Sequence, residues 1–197
     1  MTNLLLLSTG AIVGIIVAVV AVLLVIILVS WYVGTRNGLV RIKNVVEEGW
    51  ATIDVQLKKR YDLIPNLVET VKGYAKHESG ALEAVVRARY TAMSATGDDK
   101  IAAENMLTGT LKTLFSITEA YPDLKANTNF MDLQGQLKVI EAEIASARRY
   151  YNGTVKEYNT KIELFPTNIV AGSMHLEKRK YFELDSAEER NAPAVKF

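Results

Sequence analysis

The sequence predicts an all-α protein in which an N-terminal transmembrane helix is followed by a long antiparallel bundle of about four helices. Three observations predict it. An uninterrupted apolar run fills residues 11–29. Beyond residue 38, apolar residues step by three or four through two long segments. No stretch alternates convincingly with the period of two that a half-buried strand requires.

The apolar run holds only Ala, Val, Ile, Leu and one Gly. As a helix rising about 1.5 Å per residue it spans about 28 Å, which matches a hydrocarbon core of about 30 Å. A cleaved signal peptide would need a basic start, a shorter apolar stretch and a small-residue exit. Here Met1, Thr2 and Asn3 carry no positive side chain, and Ser30-Trp31-Tyr32 is a poor cleavage site. The run therefore reads as a retained anchor, with residues 4–33 against the lipid bilayer. Arg36, Arg41 and Lys43 follow it and no Lys or Arg precedes it. Basic flanks stay on the cytoplasmic side, so the expected location is the cell membrane, single-pass, with the N-terminus outside and the bundle cytoplasmic. Trp31 and Tyr32 fall where an interfacial aromatic belt belongs.

The expected organisation is a transmembrane anchor with a short outer N-terminus over 1–33, a helical bundle over 34–176 and a charged, irregular tail over 177–197. Gly34 and Gly38 offer a hinge. Leu39, Ile42, Val46, Trp50, Ile53, Leu57, Tyr61, Ile64, Val68, Val71 and Ala75 then form one stripe of a helix about 40 residues long. Pro65 is expected to kink it near residues 61–64, because proline removes a backbone bond. A turn at 77–80 leads to a helix over 81–94, and a turn at 96–99 leads to a helix over 101–121. Pro122 and Asp123 break the pattern, and Asn127 or Asn129 can cap the last long helix. Phe130, Leu137, Ile144, Tyr151, Tyr158, Ile162 and Phe165 mark its seam, which specifies packing against long neighbours. One further short turn is expected after Pro166.

The two middle helices are too short to cover both long ones. Leu39, Ile42, Val45 and Val46, opposite Tyr158, Ile162 and Phe165, need a cover near the membrane. The segment around 169–182, a second copy of the chain or a partner would serve. The pattern favours self-association through this stalk.

No catalytic, cofactor-binding or metal-ligating residue is expected. Cysteine is absent, so there is no thiolate nucleophile, disulfide or cysteine metal site. A di-metal carboxylate bundle needs Glu-x-x-His on two helices. The residues three before His77 and His175 are Tyr74 and Gly172. No phosphate-binding glycine loop and no nucleophile elbow occur. A net charge of +1 argues against a nucleic-acid footprint. Glu141 and Glu143 read as solvated charges on a helix face. Asp54, Arg60, Asp62, Asn66, Gln134, Arg148, Asn152 and Asn159 lie in or beside the apolar stripes, where interhelical pairing that fixes register is expected.

These segments together resemble the LemA family. The resemblance lies in residues 50–78, from Trp50-Ala-Thr-Ile-Asp-Val-Gln-Leu to Tyr-Ala-Lys-His-Glu78, and in Glu119-Ala-Tyr-Pro-Asp-Leu-Lys-Ala-Asn127. Asn129-Phe130, Leu133-Gln134, Ala147-Arg-Arg-Tyr-Tyr-Asn152, Tyr158-Asn159 and Phe165-Pro166 follow in the family's order. The match covers about residues 36–170. It implies a bacterial-type, N-terminally anchored antiparallel bundle without enzymatic activity, and a role in organising membranes or membrane complexes. The family's Phe-Gly-Phe segment after the last helix is replaced here by Ser173-Met-His-Leu176. The expected function is a non-enzymatic, membrane-tethered scaffold or adaptor that contacts a protein partner or itself. The alternative is a sensor whose bundle binds a small ligand and signals through the membrane-proximal hinge.

Overall fold

The structure, a computed structural model, describes residues 9–183. Residues 4–8 of the expected anchor and 184–197 of the expected tail lie outside the described residues. Among those described there are six helices and no strand: α1 (Thr9–Tyr74), α2 (Ser79–Ser94), α3 (Gly97–Thr118), α4 (Pro122–Lys125), α5 (Thr128–Glu163) and α6 (Thr167–Ser173). The all-α expectation of an apolar helix followed by a helical bundle holds. Helices α2, α3 and α5 are the anticipated ones, with ends shifted by a few residues, whereas the expected anchor and first bundle helix are one 66-residue helix, α1. The break at 122–123 is itself a single helical turn, α4, with Pro122 at its start where a missing N–H costs nothing. Asn127 caps α5, its Oδ1 accepting from the Phe130 amide at 2.9 Å.

Helix α1 runs unbroken through Gly34 and Gly38, so the expected hinge is continuous helix. It also continues through Pro65. Proline there leaves the carbonyl of Tyr61 without its helical donor. Arg89 of α2 supplies the replacement, donating from Nε to that carbonyl at 2.8 Å. A sequence defect in one helix is thus repaired by its neighbour.

The chain divides into two compact units. The first comprises the chain up to Asn44 together with Glu157–Lys178. Its apolar helical window has a mean hydropathy of 3.7, and none of that window is buried. Such a helix is long and apolar enough to cross a membrane and is consistent with membrane anchoring. Beyond it, Leu39 and Ile42 of α1 are buried together with Tyr158, Asn159 and Ile162 of α5 and Val170 and Ala171 of α6. The Tyr158 hydroxyl donates to the Glu177 carbonyl at 3.0 Å, and Lys178 pairs with Glu163. The chain's own C-terminal segment, one of the three covers the sequence left open, packs on part of this stripe. Phe165, expected on the seam, is 79% exposed. Helix α5 ends at Glu163, so Phe165 has left the helical register before it reaches the stripe.

The second unit contains Val45–Lys156 and continues from Arg179. Its core takes Ile53, Leu57, Ile64, Leu67 and Val71 from α1, Leu82, Val85 and Ala92 from α2, and Leu107 and Leu114 from α3. Leu124 of α4 and Phe130, Leu137, Ile144 and Val155 of α5 complete it. Helices α1 and α5 approach closely at Gly49, where an added Cβ would stand 3.4 Å from the Tyr151 Cα, at the edge of ordinary contact. Trp50, expected in the core, is half-buried at the edge of this contact.

Candidate functional site

Three features of the second unit have the chemistry or the exposure to matter for function. The first is a buried ionic cluster between α1, α3 and α5. Arg60 falls on the inner face of α1 and is 1% exposed. Its Nη2 donates to Glu104 Oε2, and its Nη1 donates to Glu141 Oε1 at 2.7 Å and Thr108 Oγ1 at 3.0 Å. The Tyr61 hydroxyl donates to Glu104 Oε1. Lys100 stands 3.8 Å from the same oxygen, donates to the Ala92 carbonyl at 3.1 Å and lies 5.3 Å from the Tyr61 ring centroid.

Burial pushes the Glu104 carboxyl up to about 7, against the opposing pull of the Arg60 guanidinium. Burial likewise lowers the Lys100 ammonium, with Asp54 opposing the fall and Arg60 adding to it. Arg60 Nε and Gln56 Oε1, one helical turn apart, are buried with no hydrogen-bond partner. The cluster joins three helices through one guanidinium, which is what a register-fixing device requires.

Of the polar stripe residues, the structure brings Arg60 into this cluster and buries Asn159, while Asp54, Asp62, Asn66 and Gln134 are exposed. Glu143 is a surface charge facing Lys59 at 3.5 Å, in line with its expected place on a solvated face. Glu141 is half-buried, with 38% of its side chain still exposed and its carboxylate paired with Arg60. Glu104 was not among the residues the sequence singled out. The signal was present: Glu104 sits three after Ile101 and three before Leu107, on the apolar stripe itself.

The second feature is the docked start of the C-terminal segment. Phe182 is buried against Trp50 at a ring separation of 5.8 Å, with the Arg148 guanidinium 4.2 Å from its centroid. Asn152 holds its backbone at both ends, accepting from the Phe182 amide at 2.8 Å and donating to its carbonyl at 3.1 Å. The Tyr151 hydroxyl donates to the Lys180 carbonyl at 3.2 Å. Beside this segment lies a cavity of about 370 Å³ walled by Val46, Trp50, Ile101 and Tyr151, with Glu47, Arg179 and Lys180 at its polar side.

The third feature is an open groove of about 990 Å³ between α1 and α2. Val68, Leu82, Val86 and Tyr90 line it, with Glu69, Lys72, Lys76, Glu83 and Arg87 around them. Val86, Tyr90 and Met93 occur at a spacing of four and three on α2, and all are exposed, Tyr90 by 72%. That spacing places three large apolar side chains on one helical face that is exposed among the described residues. Among the described residues no group of three or more His, Asp or Glu side chains is placed to hold a metal ion.

The LemA family model matches residues 49–197, about three quarters of the chain. A relative, Protein LemA of Metamycoplasma hominis, is 27% identical over 162 residues, covering 80% of this chain and 73% of its own length. The matched span begins at the close α1–α5 approach and takes in the ionic cluster, the seat of Phe182 and the α1–α2 groove. An apolar helix leading into an all-α bundle, together with that match, shows that the chain belongs to the LemA family.

Proposed function

We propose that this chain is a non-enzymatic, membrane-tethered scaffold whose bundle lies on the cytoplasmic side and acts through protein contacts. The groove between α1 and α2 carries this reading. A continuous apolar face of this kind on a bundle surface suits an amphipathic helix laid into it, with the mixed charges of its rim setting orientation. Glu104, whose carboxyl pKa is raised strongly by burial, is sealed at 2% exposure and engaged by Arg60 and Tyr61, an arrangement suited to holding helices together. A sensor would call for a cavity walled by the polar stripe residues. The cavity beside Trp50 combines apolar and aromatic walls with Glu47, Arg179 and Lys180 and takes in none of the polar stripe residues.

A photo-reactive amino acid in place of Tyr90, activated in intact membranes, tests the groove. The expected result is a discrete protein adduct, to a partner or to a second copy, that disappears when Val86→Glu is added. Only lipid adducts, or a protein adduct indifferent to Val86→Glu, would remove the groove as the working surface.

A further inference from the structure

We propose that the turn between α5 and α6 is a second membrane contact, seated in the headgroup zone of the same leaflet from which α1 emerges. The proposal rests on the anchor reading of α1, and all of its residues belong to the first unit. Leu164, Phe165 and Ile169 are 57%, 79% and 60% exposed. Together they form an apolar knuckle left bare among the described residues, although Val170 and Ala171 of the adjoining helix are fully packed. Solvated turns are seldom built from Leu-Phe-Pro with an isoleucine one turn later, and such a cluster marks a lipid or protein contact.

Its position identifies the partner as lipid. Ser173 at the end of α6 meets Tyr32 of α1, Oγ to hydroxyl oxygen at 3.3 Å. Tyr32 and Trp31 close the apolar run, where aromatic side chains mark the membrane–water boundary. Ile169 stands about 6 Å along α6 from Ser173, at roughly 1.5 Å per residue. The headgroup zone on each side of the hydrocarbon is of comparable depth, roughly 5–8 Å. The knuckle therefore lies at the level of the boundary, next to a helix that already crosses it. Arg36, exposed one turn past Tyr32, places a cation at phosphate level on the same side. A single helix leaves a bundle free to tilt and swivel over the bilayer; a second shallow contact would fix how the base of the bundle faces the membrane.

The cysteine-free chain allows a direct test by spin labelling of the full protein in phosphatidylcholine–phosphatidylglycerol vesicles. Labels on Phe165→Cys and, separately, Ile169→Cys should be relaxed by oxygen, which partitions into lipid, more than by a water-soluble nickel chelate. A label on Ile26→Cys should report the hydrocarbon interior, and one on Asn129→Cys should report water. If Ile26 is in lipid while both 165 and 169 respond to nickel as Asn129 does, the second contact is wrong and the anchor stands. If Ile26 also responds as in water, the anchor reading fails and the proposal with it. Both substituted side chains are exposed, so neither variant disturbs the packed side of α6, and agreement between them is the supporting result.

Discussion

At pH 8, where Glu104 is ionised, Arg60→Met should destabilise the bundle by about 3–5 kcal/mol, because it strands that carboxylate in the interior without its partner. Glu104 would keep the Tyr61 hydroxyl but lose the guanidinium that now holds it. Lys59→Met, one residue away, removes an exposed partner of Glu143 and should change stability by no more than about 1 kcal/mol. Denaturant unfolding of the full chain in detergent, followed by helical circular dichroism, measures both. The double change Arg60→Met with Glu104→Leu should recover much of the loss, since apolar pairs can replace buried ionic ones at little cost. A small effect of Arg60→Met alone would show that α1, α3 and α5 do not depend on this cluster for their alignment.

Stability should fall as pH rises from about 5 to 8. The Glu104 carboxyl titrates near 7 in the folded chain, above its ordinary value of 4.5, because burial disfavours its charged form. The folded state therefore holds a proton that the unfolded state has already released. That contribution is complete below the unfolded value and is lost as pH passes the folded one. Its upper bound is about 3–4 kcal/mol, since each tenfold change in proton affinity corresponds to about 1.4 kcal/mol. The groups around Glu104 are Arg60 and Tyr61 from α1, Lys100 from α3 and Glu141 from α5, with Asp54 acting at longer range. Glu104→Gln retains an amide in place of the protonated acid and should flatten the slope of melting temperature against pH between 5 and 8. A slope unchanged by Glu104→Gln would assign the pH dependence to other groups.

Much of the fold was legible because helical periodicity is written in single residues. The stripe from Leu39 to Ala75 and the seam from Phe130 to Ile162 predicted the two long helices, and burial of Ile53, Leu57, Ile144 and Tyr151 follows directly. Where periodicity was the only guide, it misled at two positions. Trp50 and Phe165 fit the spacing, yet one sits at the rim of the helix contact and the other beyond the last turn of α5. Spacing records which residues share a face and says nothing of whether a neighbour reaches it. The polar cluster was half legible. Arg60 stood out as a charge on an apolar stripe and Glu104 lies on one as well, but that the two pair depends on which helices meet. The repair of the Pro65 gap by Arg89 is tertiary in the same sense. So is the seating of Phe182 by Asn152, since no local pattern links residues 30 positions apart.

The groove, the docked segment and the apolar knuckle all acquire their meaning from the side of the membrane on which they stand. The most direct measurement is protease access in intact cells carrying a tag before Met1 and a second tag after Phe197. The cationic flank at Arg36, Arg41 and Lys43 predicts that external protease removes the first tag and leaves the second intact until the cells are lysed, with the chain in the membrane fraction. Loss of the C-terminal tag without lysis, or recovery of the chain in the soluble fraction, would contradict a cytoplasmic bundle held to the bilayer by its first helix.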